Sequence, residues 1–274
     1  MSSPVDRLNY FAVLYGALFK SSLLANIQYR ASGMIWMIGS VLEPTIFLIV
    51  WSSVAESEGG TVGGYTPNEF AAYYITLMMV SHLTFSWVMQ VMQFRIQFGS
   101  LSYDLMRPIH PIHADIMDNL SFKLVQMTVM IPALIVLWWL FEPDFNFTWT
   151  TTLIAAPIIV LAFLVRFMLD WTLALAAFWT TRVTAINNTY FAVSMFLSGR
   201  IAPIALLPLW LQDVSTILPF YYVIAFPVEI LTGRLTGDEL VDGVLALLTW
   251  LVLGGSLMLF TWRRAVRNFS AVGG

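Results

Sequence analysis

Apolar residues in this chain come in stretches of roughly 20, the length an α-helix needs to cross a bilayer. Five stand out: Met34 to Val54, Phe70 to Met92, Leu120 to Phe141, Thr151 to Trp179 and Gly243 to Trp262. A further apolar region, Ala185 to Leu231, is too long for one span. It is broken by Pro203, Pro208, Pro219 and Pro227, and proline removes a backbone donor and interrupts a helix. Basic residues stay on the cytoplasmic side of a membrane. Arg7, Lys20 and Arg30 precede the first span, and Arg263, Arg264 and Arg267 follow the last. Both ends are therefore expected inside, and the number of spans is even. Six satisfies this, with a fifth span over Ala185 to Ala202. The segment from Pro203 to Leu231 must then enter and leave on the outer side without crossing.

The remaining charges agree with that topology. Arg95, Arg107, Lys123 and Arg182 join the cytoplasmic set, whereas only Arg200 and Arg234 fall outside. Glu56, Glu58, Glu69, Glu142, Asp144, Asp213, Glu229, Asp238, Glu239 and Asp242 also fall outside, but acids contribute little to orientation. A turn between the fourth and fifth spans is placed near Arg182, in the polar run Thr180 to Thr184 followed by Asn187 and Asn188. The competing position, Arg166 and Asp170, has no glycine or proline to mark a turn and would leave a short span. Residues 9–29 lack the apolar core and cleavage site of a signal peptide. Phe11, Leu14 and Leu18 recur at helical spacing among Lys20, Ser21, Asn26 and Arg30, which reads as an amphipathic helix in the inner interface or as the start of the first helix.

The expected fold is an all-α membrane protein with six transmembrane helices and both termini inside. It has an interfacial or cytoplasmic segment over 1–33, a transmembrane domain over 34–262 and a cytoplasmic tail over 263–274. Composition narrows the chemistry. The 274 residues are 59% hydrophobic and 11% charged, against roughly 25% charged in a soluble domain. That excludes an ordinary soluble enzyme, a disordered tail and a nucleic-acid binder. There is no cysteine, so there is no thiolate chemistry or disulfide. A phosphate-binding loop needs glycines and then lysine, but Lys20 and Lys123 follow Phe19 and Phe122. Metalloprotease, nucleophile-elbow and dinucleotide motifs are absent as well. His110 and His113 with Asp104, Asp115 and Asp118 are the nearest approach to a metal cluster. Their spacing is loose and interrupted by Pro108 and Pro111, so no metal site is expected.

Charged groups in lipid are costly and are functional suspects by default. Glu43 lies in the middle of the first span, directly before Pro44. Arg166 lies near the centre of the fourth, with Asp170 one turn on, where an i, i+4 pair neutralises itself. Arg166 and Asp170 either hold the bundle together or line a solute path or subunit interface, and Glu43 carries the same two readings. His82 is expected to make an interhelical hydrogen bond. Most tryptophans sit near span ends as an interfacial belt. Trp87, Trp171 and Trp179 do not, and read as packing residues or as a platform for an aromatic or cationic solute.

The segment Gln93 to Asn119 is long beside the roughly two to eight residues usual between bundled helices. It is expected to contain a short helix carrying Leu101 and Leu105 on one face and stopping before Pro108. Here the chain resembles the membrane subunits of bacterial ABC-2-type ATP-binding-cassette permeases. Gly99, Leu101, Leu105, Arg107 and Pro108 are similar to that family's G-x-L-x-x-x-L-x-R-P signature. Pro203, Leu207, Pro208, Trp210, Leu218, Pro219, Phe220, Pro227 and Gly233 resemble its proline-rich outer segment. The resemblance covers nearly the whole chain.

It implies a homo- or heterodimer of permease subunits in the inner membrane of a bacterium, contacting membrane lipids. A separate ATPase subunit would bind ATP and magnesium, and this chain would need no cofactor of its own. Force would enter through Gly99, Leu101, Asp104, Leu105, Arg107, Pro108 and His110. Pro203, Pro208, Pro219, Phe220 and Pro227 would form the outer gate. Glu43, Arg166 and Asp170 would be the intramembrane polar groups. The substrate class implied is a hydrophobic, amphipathic or cationic small molecule or a lipid, moved outward. The alternative is an ion-coupled secondary transporter using Glu43 or Asp170, which predicts internal repeats that are not seen between 34–141 and 151–262. An intramembrane enzyme would need a convergent nucleophile, base or metal set, and none appears.

Overall fold

A computed structural model describes residues 4–145, 147–180, 183–235 and 237–267. Among these residues there are twelve α-helices and no strand; Val62 and Tyr65 make one isolated bridge. The helices in chain order are α1 (Pro4–Gln28), α2 (Arg30–Ser57), α3 (Pro67–Thr84), α4 (Val88–Gln97), α5 (Leu101–Leu105), α6 (Pro111–Phe141), α7 (Trp149–Ala174), α8 (Val183–Leu197), α9 (Leu209–Ile217), α10 (Pro219–Val223), α11 (Ala225–Leu231) and α12 (Gly237–Arg267). A 3₁₀ turn, Leu175–Phe178, extends α7.

Six helical segments are long and apolar enough to span a membrane, as the sequence predicts in number. Their membership differs. Asn9–Gln28 qualifies, whereas the expected fifth span is realised as α8, of 15 residues. At 1.5 Å per residue α8 is about 22 Å long, short of the roughly 30 Å hydrocarbon core. It stops because Gly199 has φ +79°, a conformation that ends a helix and suits glycine. The turn placed near Arg182 has the helix boundaries expected of it: α7 runs unbroken through Arg166 and Asp170, and a new helix begins at Val183. Thr181 and Arg182 themselves lie outside the described residues.

The second expected span is two helices, which the apolar pattern does not reveal. Phe85 to Trp87 is non-helical, and Phe85 has extended dihedrals. Backbone groups freed inside a membrane need partners, and side chains supply them. Lys123 Nζ donates to Phe85 O, Asn119 Oδ1 accepts from Trp87 N at 3.2 Å, and Ser86 Oγ accepts from Val88 N at 3.2 Å. Lys123, expected as a cytoplasmic charge, is thus buried against this break, with its ammonium 4.2 Å from the Phe163 ring centroid. The break has no glycine or proline; its only trace in the sequence is this set of polar partners.

Two hydrophobic clusters hold the bundle. One gathers Phe70, Tyr73, Tyr74, Leu77, Met130, Phe226 and Leu247 from α3, α6, α11 and α12. The other gathers Met92, Leu101, Phe163, Phe167, Trp171 and Met258 from α4, α5, α7 and α12. α12 packs along α7, and α1 packs on the first turns of α6, where Asn26 Nδ2 donates to Ser121 Oγ at 2.9 Å and to Asp118 Oδ1 at 3.2 Å. The short helices α10 and α11 pack between α3, α7 and α12. α11 and α12 meet at Gly243, where a Cβ would lie 2.1–2.8 Å from the ring of Phe226, itself buried.

Gly243→Ala is therefore expected to destabilise. Overpacking costs about 1–3 kcal/mol, more than the roughly 1 kcal/mol that alanine gains over glycine in a helix. A detergent melt should show a lower Tm, and an unchanged or raised Tm would contradict this packing.

Candidate functional site

Two polar sites interrupt the apolar bundle, one in the loop after α4 and one within the membrane-spanning region. At the first, Gly99 has φ +72° and turns the chain from α4 into α5. Ser102 Oγ donates to Gly99 O at 2.6 Å. Leu101 is fully buried and Leu105 packs beside it in the second cluster, so the expected short amphipathic helix is present. The connection is tighter than expected, because α4 continues to Gln97 and α6 already begins at Pro111. Pro111 occupies the first turn of α6, where its missing N–H costs nothing. His110 caps that helix, its Nδ1 accepting from Ile112 N at 3.2 Å.

The loop's charges form a chain. Asp104 lies 3.7 Å from Arg107 and 3.6 Å from Arg95. Arg95 Nη1 donates to Asp115 Oδ1 at 2.6 Å, and the buried Trp171 Nε1 donates to Asp115 Oδ2 at 3.1 Å. The chain thus runs from an exposed arginine to α7. His110 sits between Trp262 (centroids 4.7 Å apart) and Trp171 (5.7 Å). Burial, then the nearby His113, pushes its imidazole below the usual histidine range, which keeps Nδ1 free to accept. The loose metal-like set disperses: His113 goes to Tyr15 (2.6 Å), Asp118 to Asn26 and Asp115 to Arg95. Phe94, Phe98, Tyr103 and Met106 are exposed around α5, as is Arg107.

The second site is a cavity of about 520 Å³ with walls from α2, α3, α4, α6, α7 and α8 and the turn after α8. Glu43, Arg166 and Arg200 line it together with His82 and Ser81. Glu43 pairs with Arg200 at 3.2 Å. Arg200, placed by the sequence at the outer end of the expected fifth span, points into the cavity and is positioned by a clamp on its two neighbours: Tyr73 Oη donates to Gly199 O (2.9 Å), while Trp51 Nε1 and Tyr74 Oη both donate to Ile201 O (2.8 Å each). Nothing in the apolar pattern marks this clamp; the one local sign is the Ser-Gly-Arg run that ends an apolar helix. Arg166 pairs with Asp170 at 3.7 Å, as the spacing predicts. His82 makes the expected interhelical bond, to Lys123 O at 3.2 Å.

The chain matches the family model described as ABC-2 family transporter protein over residues 38–273. It belongs to the ABC-2 transporter family. A search among curated proteins finds none that matches. As an ABC-2 permease it is a multi-pass membrane protein, a membrane subunit without an ATPase of its own.

Of the residues expected in the outer gate, Pro219 and Phe220 line a narrow gap beside Arg166 and Tyr190, and Phe220 lies 5.4 Å from Tyr190 between ring centroids. Pro203 and Pro208 instead precede a 3₁₀ turn and α9, while Pro227 lies buried in α11. Among the tryptophans without an interfacial role, Trp87 packs on Trp36 and Phe85, Trp171 is buried against Asp115, and Trp179 is exposed.

Arg166→Leu strands Asp170, and breaking a buried pair costs about 3–5 kcal/mol. The double variant Arg166→Leu with Asp170→Leu should melt at a higher temperature than Arg166→Leu alone. Equal melting temperatures would show that the two residues are not coupled.

Proposed function

We propose that this ABC-2 permease is the membrane half of an ATP-driven exporter that moves an amphipathic or hydrophobic solute or lipid through the cavity between α2 and α8. The observation that carries this is the continuous charged chain from Arg107 through Asp104, Arg95 and Asp115 to Trp171 on α7, the helix that also bears Arg166 and Asp170. A push on α5 is transmitted through side chains in contact to the wall of the cavity. ATP and magnesium belong to a separate nucleotide-binding subunit, since neither lysine here stands in a phosphate-binding loop.

In this proposal α5 and the exposed Phe98, Tyr103 and Met106 around it form the surface on which that subunit docks, with Arg107 as a reversible polar contact. Gly99, Leu101, Leu105, Pro108 and His110 hold α5 in place. The crossings are α2, α3 with α4, α6, α7, α8 and α12, the short α8 being accommodated by local thinning of the bilayer, with both termini in the cytoplasm of a bacterial cell. α1 lies in the inner interface: its hydrogen bonds reach the polar start of α6 at His113, Asp118 and Ser121. The segment 203–231 is re-entrant, with Pro219 and Phe220 closing the path above Arg166 and Tyr190, and Pro203, Pro208 and Pro227 shaping the turns that let it return. The exposed apolar face of α2 (Ile38, Leu42, Ile46) and of α8 (Phe191, Phe196) meets a second permease subunit, identical or different. Two such subunits have two packed arrangements, and nucleotide binding shifts their balance.

An ion-coupled carrier is a weaker reading. Glu43 and Asp170, its candidate ion sites, each already have an arginine. A cationic solute is disfavoured as well, because two arginines line the cavity against one carboxylate.

Arg107→Glu should lower ATP-driven transport about tenfold or more, within the range usual for coupling between sites, and Met106→Asp should release the nucleotide-binding subunit during purification. Both variants should insert and dimerise normally. Undiminished transport in Arg107→Glu at normal expression would remove the coupling role from this loop.

A further inference from the structure

The cavity is polarised by its unpartnered atoms. Arg166 is buried, yet its Nη1 has no hydrogen-bond partner, and neither has Nε of Arg200. Both residues face the same cavity. Ser81, also in the wall, has an unpartnered hydroxyl. The one carboxylate in the wall, Glu43, is within 3.2 Å of Arg200, although its Oε1 also lacks a hydrogen-bond partner; Asp170, which pairs with Arg166, is not part of that wall, so cationic donors outnumber the acceptors that face the space. Buried donors without partners are costly, and charged ones most of all. A native structure holding two of them around one space is arranged for a guest that supplies acceptors.

The aromatic surfaces lead to the same conclusion. A cationic solute would be recognised by a free ring face. Here the protein's own guanidiniums already take two such positions: Arg166 lies 5.4 Å from the Phe85 ring centroid and Arg200 lies 5.5 Å from that of Phe191, while Trp36 and Trp87 pack on each other and on Phe85. Much of the rest of the wall, including Ile35, Trp36, Met78 and Met130, is apolar or amphipathic, with Ser40, His82 and Gln90 as its other polar members. The volume, about 520 Å³, falls within the roughly 300–1,000 Å³ of small-molecule sites.

We propose that this cavity binds the oxyanion of an anionic amphipath, a carboxylate or phosphate set against Arg166, Arg200 and Ser81, with its apolar body along Trp36, Phe85 and Met130. The guanidinium fork matches either group, and charge-assisted hydrogen bonds are the strong ones. The assignment rests on the transport reading above and names the substrate class for the same cavity. The anion belongs either to a membrane lipid or to a diffusible solute.

The test uses the full-length permease in phosphatidylcholine nanodiscs, without nucleotide. Three probes of equal chain length are compared by energy transfer from tryptophan: nitrobenzoxadiazole-labelled dodecanoate, its methyl ester and its trimethylammonium analogue. The carboxylate should bind about tenfold or more tightly than the other two, as expected for charge-assisted over neutral contacts. Arg166→Gln and Arg200→Gln should each abolish that preference, and Arg263→Gln, far along the chain in α12, should keep it. Equal affinity for the three probes, or preference for the ammonium, overturns the proposal. The ranking in the unmutated protein decides even if a variant fails to fold. Displacement of the carboxylate by phosphatidylglycerol in the disc assigns the anion to a lipid headgroup; insensitivity assigns it to a solute. Co-purification of an ATPase subunit is scored separately. A retained ATPase with no carboxylate preference sinks the anion alone, while carboxylate preference without an ATPase sinks the transport reading.

Discussion

Two guanidinium groups have to be kept inside a bundle whose surroundings offer no water. A charge at the bilayer centre costs at least about 2.5–3.5 kcal/mol on insertion scales, so each arginine needs a designed environment. Arg166 has Asp170 one turn along α7, and Tyr190 from α8 lines the same narrow gap as Arg166. Arg200 has Glu43 from α2, while Tyr73, Tyr74 and Trp51 fix the carbonyls on either side of it. These contacts join α2, α3, α7 and α8 around one space. The short length of α8 and the left-handed turn at Gly199 follow from the same demand, because the chain must stop there to aim Arg200 inward.

The same physics appears at the interrupted helix. Opening α3 from α4 at Phe85 to Trp87 frees backbone groups, and Lys123, Asn119 and Ser86 satisfy them. Phe85 and Trp87 then contribute to the cavity wall together with Trp36. Further along, α4 ends at Gln97 and passes to α5 through Gly99. The interruption, the cavity and the loop that carries Arg107 are thus successive parts of one stretch of chain. On the proposed mechanism, a displacement of α5 is felt on α7 through Asp115 and Trp171, the residue that follows Asp170.

Much of this was legible in the sequence. Span-length apolar runs gave the helices α2, α6, α7 and α12, and the i, i+4 spacing gave the Arg166–Asp170 pair. Leucines at 101 and 105 between Gly99 and Pro108 gave α5. Long-range contacts were not legible. The sequence placed Arg200 only by side of the membrane; its pairing with Glu43 and the clamp from residues 51, 73 and 74 join positions far apart in the chain. Lys123 looked cytoplasmic because its partner, a backbone carbonyl at residue 85, carries no side-chain signature. Asp115 resembled part of a loose metal cluster until Arg95 and Trp171 were seen to claim its two oxygens. Periodicity reports which face of a helix is apolar, and it is silent about which distant group meets a polar residue.

On the proposed reading this permease works only as part of an ATP-driven complex. Native mass spectrometry on the protein extracted gently from its own membrane would capture that complex. The account predicts two permease-sized subunits with two nucleotide-binding chains, and the masses would distinguish a homodimer from a heterodimer. A reproducible monomer or homodimer with no ATPase bound under mild conditions would contradict it and favour a gradient-driven carrier centred on Glu43 and Asp170.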